Sequence, residues 1–249
     1  MGLFHEFIWP FHAVVSAHIV TGSVGLLAFW VPIFARKGGA NHKLWGKVFT
    51  WSMLSTGTIA IGIASLTIDD PVGTHPHLDF DPVLIQGIFG WMMLYLAILT
   101  MNLAWYGWMC IKNRRDHLGN RRPFNLLLQA AVTLTAANCA WQGVALGQLL
   151  MVGISFVGFA TAATNLWFIY KPRRGPQDWL KEHLKGLVGA GISVYTAFFA
   201  FGSVRVMPEL ALNPGLWAVP LITGVGIILY HWRKIGLQQQ ATGREARLA

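Results

Sequence analysis

Charge is scarce in this sequence. Asp, Glu, Lys and Arg make up 12% of its 249 residues, against roughly 25% in a soluble domain. Six stretches hold none of the four: Phe7–Ala35, Val48–Ile68, Pro82–Ile111, Phe124–Tyr170, Gly186–Val204 and Leu210–Tyr230. Such runs exclude an ordinary soluble fold and predict an all-α, polytopic membrane protein in contact with lipid.

Other absences narrow the chemistry. Only two cysteines are present, Cys110 and Cys139, and no CxxC. A disulfide framework is therefore excluded, and both are expected as reduced structural thiols. No glycine-rich nucleotide loop, GxSxG elbow or HExxH pair occurs. The charge-free runs hold no acid for a carboxylate ion relay. They also offer no lysine for a retinal Schiff base, since the last run has none before Lys234. The start carries no basic segment before its apolar run, so no signal-peptide cleavage is expected.

What is present gives a topology. A spanning helix needs about 20 apolar residues. Phe124–Tyr170 is long enough for two, with a tight turn expected near Gly147-Gln148. The reading is seven transmembrane helices in a single domain over residues 1–237, followed by a disordered polar tail, 238–249. Four connections on one side then collect 18 of the 19 basic residues, leaving only Arg205 opposite. Six of the ten acids lie with Arg205: Glu6, Asp69, Asp70, Asp79, Asp81 and Glu209. The positive-inside rule makes the basic side cytoplasmic, so the N-terminus is expected outside and the C-terminus in the cytoplasm. The net charge of +9 then reflects orientation and anionic lipid at the cytoplasmic face, and nucleic acid is not needed as a partner. A membrane-protein partner or a homo-oligomer is compatible with the same reading. Gly143/Gly147 and Gly186/Gly189 sit at spacings that favour close helix packing.

Histidines, amides and hydroxyls remain as candidate chemistry. His12 and His18 lie on the first helix, on different faces. Asn102, Asn138, Gln142 and Asn165 sit inside expected spans, with Gln129 deeper toward the cytoplasmic side. They suit interhelical hydrogen bonds or a polar cavity between the first, third, fourth and fifth helices. His42, His117, His183 and His231 fall at the basic boundary. An outer loop, Asp69 to Asp81, holds His75 and His77 among four Asp. It is read as solvated, with a weak exposed metal site as the alternative.

One stretch carries a pattern. It begins with His18 and Gly22 and continues through Lys37-Gly38-Gly39-Ala40-Asn41-His42-Lys43-Leu44-Trp45-Gly46-Lys47-Val48. It resembles a bacterial family of predicted integral membrane proteins of unknown function, in which an intramembrane His-x3-Gly precedes K-G-x2-H-[RK]-x2-G-[RK]-V. Trp179 to His183 and Tyr195 to Phe198 are also similar. The resemblance implies the fold and a bacterial inner-membrane, multi-pass location, and it singles out His18, His42 and His183. It implies no activity.

In this pattern Gly38-Gly39 is expected to end the first helix and Asn41 to cap the second. His42 would then sit in a first helical turn at the depth of His183. Two imidazoles at one depth could hold haem b or a transition metal and make the protein redox-linked. His18 would serve a second, outer site, about 25 Å of helix away. Two alternatives stand beside this. One is a metal-dependent membrane hydrolase using His42, His183 and His231 with Asp116 or Glu182. The other is a non-catalytic transporter, sensor or assembly factor with a polar pocket.

Overall fold

The computed structural model describes residues 2–76, 78–199 and 214–248. His77, Arg205 and Glu209 lie outside the described residues, as do the side chains of His5, Glu6, Trp9 and Trp217. Every long element among the described residues is helical. These are α1 (Gly2–Phe34), α2 (Ala40–Asp69), α3 (Pro82–Lys112), α4 (Pro123–Ala145), α5 (Leu149–Tyr170), α6 (Asp178–Ala197) and α7 (Pro214–Leu248). The helix of α7 continues through the polar segment expected as a tail.

Four helical stretches are long and apolar enough to cross a membrane: Phe11–Phe34, Ala40–Asp69, Pro82–Lys112 and Leu149–Tyr170. They give the chain the make-up of a multi-pass membrane protein. α4 is more polar because Asn125, Gln129, Asn138 and Gln142 lie along it. α6 opens with the charged turn pair Asp178 to Lys185. Large apolar side chains face outward, among them Leu27, Trp141, Leu149 and Trp167, each more than 70% exposed. Lipid tails are the solvent that suits such a surface.

Turn chemistry sets the helix ends. Gly38 takes a positive φ of 75° and turns the chain from α1 into α2. Gly39 precedes α2, and Asn41 falls inside the helix without capping it. The expected turn between α4 and α5 is a Schellman motif. Gly147 has φ 66°, the Gly147 N–H donates to Val144 O and the Gln148 N–H to Gly143 O at 2.7 Å. Gly147 is thus a turn residue, while Gly143 makes the close helix contact, its α-hydrogen side facing the Val152 backbone.

α3 is the hub, packed by α2, α4 and α6, with α1 resting on α2, α5 on α4 and α7 on α6. Tyr95, Leu96, Leu99 and Leu103 of α3 form the middle of the core. The Tyr95 hydroxyl donates to Ile154 O on α5 at 2.8 Å. Near its N-terminal end α3 widens into a π-helix over Gln86–Met92, where Gln86 Nε2 donates to Ile68 O on α2.

Cys110 and Cys139 are buried, unpaired thiols.

Candidate functional site

The basic ends of α1, α2, α3, α6 and α7 assemble the site. The Gly38 turn folds the start of α2 back on the end of α1. There His42 Nδ1 meets Pro32 O at 3.1 Å. That carbonyl belongs to the last turn of α1, which has no intrahelical partner. Lys37 Nζ donates to the same oxygen at 2.8 Å and to Ile33 O at 2.6 Å, placing a cation at the negative end of the helix dipole.

His183 reaches α3, where its Nδ1 meets Gly107 O at 2.8 Å. Two glycines make this approach possible. A Cβ on Gly186 would lie 2.7 Å from Gly107 Cα, and one on Gly107 would lie 2.9 Å from Leu187 N. α3 and α6 therefore touch backbone to backbone.

A carbonyl oxygen only accepts, so each Nδ1 carries its hydrogen and each Nε2 keeps a lone pair when the ring is neutral. His42 and His183 lie within electrostatic reach of one another. His231 faces Lys37 and Lys234. Among the described residues no three His, Cys, Asp or Glu side chains converge to hold a metal ion. The set His42, His183 and His231 is therefore not assembled as a ligand shell.

The carboxylates of the hydrolase reading are occupied. Asp116 accepts from the Gly119 N–H as the cap of a short helical turn. Glu182 Oε2 accepts from the Tyr106 hydroxyl at 2.6 Å and pairs with Lys185 Nζ at 2.5 Å.

Lys185 is the site residue that the sequence reading leaves out, and Glu182 enters it only as a carboxylate of the hydrolase alternative. The charge-free runs place both outside a span, yet α6 begins at Asp178 and half-buries them, with Glu182 against Tyr106 of α3. Their i,i+3 spacing on one turn is the readable signal.

His18 belongs elsewhere. Its Nδ1 lies 3.3 Å from Thr56 O on α2, beside the Thr56–Thr21 hydroxyl bond. At 1.5 Å per residue, the 14 residues to Pro32 put it about 20 Å away along α1.

The expected polar cavity divides. Asn165 Nδ2 donates to Asn102 Oδ1 at 3.2 Å and to Gln129 Oε1 at 3.1 Å, joining α3, α4 and α5. All three amides are fully buried. Asn138 and Gln142 are only half-buried and stand further along α4, outside this cluster. One helical turn toward the basic end, Gln129 Nε2 donates to Asn125 O, and Asn125 Nδ2 to Asn120 O. Asn102 Nδ2 and Asn165 Oδ1 remain without protein partners.

His117, expected in a solvated basic loop, packs edge-on against Phe168 at 5.0 Å. Burial, and then the Arg174 and Arg121 guanidinium groups, lower its proton affinity below the ordinary imidazole value.

In the outer loop, Asp70 and Asp81 accept from the Gly73 and Val83 N–H groups at 2.8 Å. Their carboxylates cap helical turns, and His75 packs on Phe89.

Comparisons with protein-family models, with curated proteins and with solved structures returned no match.

Proposed function

We propose that this chain is a seven-span protein of the bacterial inner membrane, N-terminus outside, that holds haem b between His42 and His183 and works in electron transfer. The observation that supports it is the matched setting of the two rings. Each Nδ1 is tied to a carbonyl of a neighbouring helix, which orients the ring and leaves Nε2 as donor to a metal. Backbone carbonyls serve metal-bound histidines in this way. The proposal uses two nitrogen ligands, one from each ring. A haem iron needs two from the protein because the porphyrin supplies four. A bare transition metal would need further ligands from water, and the hydrolase reading lacks its third histidine and a free carboxylate. The resemblance to the bacterial membrane-protein family is part of the proposal. Its support is that His18, His42 and His183, the residues its pattern marks, all meet a backbone carbonyl of another helix through Nδ1.

The test is an absorption spectrum of detergent-purified protein, oxidised and dithionite-reduced, with metal analysis of the same sample. A Soret band with sharp reduced α and β bands is expected, and it should be lost in both His42→Ala and His183→Ala. Folded wild-type protein that stays colourless after haem is supplied would reject haem. About one metal ion per colourless chain would move the site to a non-haem centre.

A second reading, a non-catalytic transporter, sensor or assembly factor, draws on the Asn102–Gln129–Asn165 cluster, where buried amide atoms lack partners. It expects function to survive His183→Ala and to fail in Asn165→Leu.

A further inference from the structure

We infer that the crevice between α1, α6 and α7 is a specific binding site for one anionic phospholipid, its phosphate held by Lys37, His231 and Lys234 and an acyl chain lying in the cleft below. The proposal is independent of the haem reading.

The cleft encloses about 240 Å³. Phe29 and Trp30 of α1, Ile192 of α6, and Pro220, Thr223 and Ile227 of α7 line it. Its polar tips are already satisfied. Tyr195 Oη accepts from Trp30 Nε1 at 2.6 Å and donates to Leu26 O at 2.8 Å. The walls therefore present hydrocarbon and ring faces, which suit an alkyl chain and offer nothing to a polar solute. The surrounding α7 surface is apolar and exposed, with Ile222 70% and Val219 52% accessible, so a lipid can enter sideways.

The charge lies at one mouth only. From Ile227, His231 is one helical turn along α7 and Lys234 about two, some 10 Å. Lys37 lies in the turn after α1, its ammonium folded back on the Pro32 and Ile33 carbonyls that close that helix, and it is within electrostatic reach of both Lys234 and His231. Helical spacing puts His231 and Lys234 on the face of α7 that Ile227 turns to the cleft. Among the described residues, the two salt bridges employ Lys171 and Lys185, and no carboxylate bridges Lys37 or Lys234. Burial, with the opposing Lys234 ammonium, lowers the proton affinity of Lys37 below the ordinary lysine value. A phosphate between the two cations would relieve that repulsion. Basic side chains at one end of an apolar furrow have the charge and polarity profile of an anionic phospholipid.

Native mass spectrometry of delipidated full-length protein tests this, with dioleoyl-phosphatidylglycerol, dioleoyl-phosphatidylcholine and glycerol 1-phosphate as probes. One phosphatidylglycerol should be retained at least tenfold more strongly than phosphatidylcholine, and glycerol 1-phosphate should not be retained. Lys37→Gln/Lys234→Gln should lower phosphatidylglycerol retention to the phosphatidylcholine level. Lys37 also caps α1, so Lys234→Gln alone serves as a second variant and should lose several-fold. Thr223→Phe, which fills the cleft from an exposed position, should weaken retention with the charges intact. Equal retention of the two lipids by wild type, or unchanged phosphatidylglycerol retention in folded Lys234→Gln, would overturn the site. Retention of glycerol 1-phosphate as strong as that of phosphatidylglycerol would also overturn it, reducing it to a phosphate pocket.

Discussion

The Tyr106 hydroxyl donates to Glu182 at 2.6 Å, one residue before the Gly107 carbonyl that takes the ring of His183. Two neighbours on α3 thus grip two neighbours on α6. Glu182 also holds Lys185, and both of these side chains are only 16% exposed. The tyrosine and the lysine both approach Glu182 Oε2 and compensate the partial desolvation of the carboxylate. The Tyr106–Glu182 hydrogen bond crosses from α3 to α6 and sets the rotation of α6 about its axis, and with it the direction of His183.

Removing one partner should therefore cost more than a surface contact would. Tyr106→Phe should destabilise the protein by about 2 kcal/mol, as for other hydrogen bonds to charged groups. Lys185→Met should cost a similar amount, about 1–3 kcal/mol, because it leaves a half-buried carboxylate with the tyrosine alone. Denaturant unfolding in detergent measures both. Equal stability of wild type and Lys185→Met would show that Glu182 is not held as described.

The glycine contact between α3 and α6 leaves no room for a methyl group. Gly186→Ala should cost about 1–3 kcal/mol through forced separation of the helices, and it should weaken the site by moving His183 away from Gly107. Gly153→Ala is the control, since a Cβ there meets nothing within 4 Å. It should be neutral or stabilising by up to about 1 kcal/mol. Melting temperatures of the two variants should fall on opposite sides of, or one below and one at, the wild-type value.

Within the amide cluster, Asn165→Leu should lose about 1–3 kcal/mol by leaving Asn102 and Gln129 without their donor. Asn138→Leu, at a half-buried position outside the cluster, should change stability by less than about 1 kcal/mol. Equal losses in the two variants would mean that α4 is rotated from the orientation described.

His117 gives the fold a pH dependence of known sign. Its folded-state proton affinity is lowered, so the neutral ring is the one that fits against Phe168. The resulting stability is present above the ordinary imidazole pKa of about 6.5. It is lost as pH falls through the lower folded value. Between pH 7.5 and 5 the melting temperature should drop more in wild type than in His117→Gln. A drop that is the same in both would assign the acid sensitivity to other groups.

Much of the architecture was legible along the chain. Charge-free runs mark the helices because hydrocarbon excludes unpaired charge: among the described residues, Phe124–Tyr170 spans two helices and each other run falls on one. Gly38 and Gly147 were legible as turns because positive φ is a local property. Counting residues along helices placed His42 and His183 at the basic helix ends, where each meets a carbonyl of a neighbouring helix. Orientation across the membrane rests on the distribution of basic residues, which is also a property of the sequence.

What hydropathy cannot carry is rotation about each helix axis and the choice of neighbour. Those depend on side chains that meet across long separations, as Gly107 and His183 do over 76 residues. Only the tertiary structure therefore decides that Gln129 joins Asn102 and Asn165 in place of Asn138 and Gln142. It also decides that Glu182 meets Tyr106, that His42 meets Pro32 and that His183 meets Gly107. The physical reason is the same in each case. Close backbone contact at a few glycines sets the helix register, and the buried polar groups must then find partners within the few ångströms that register leaves them.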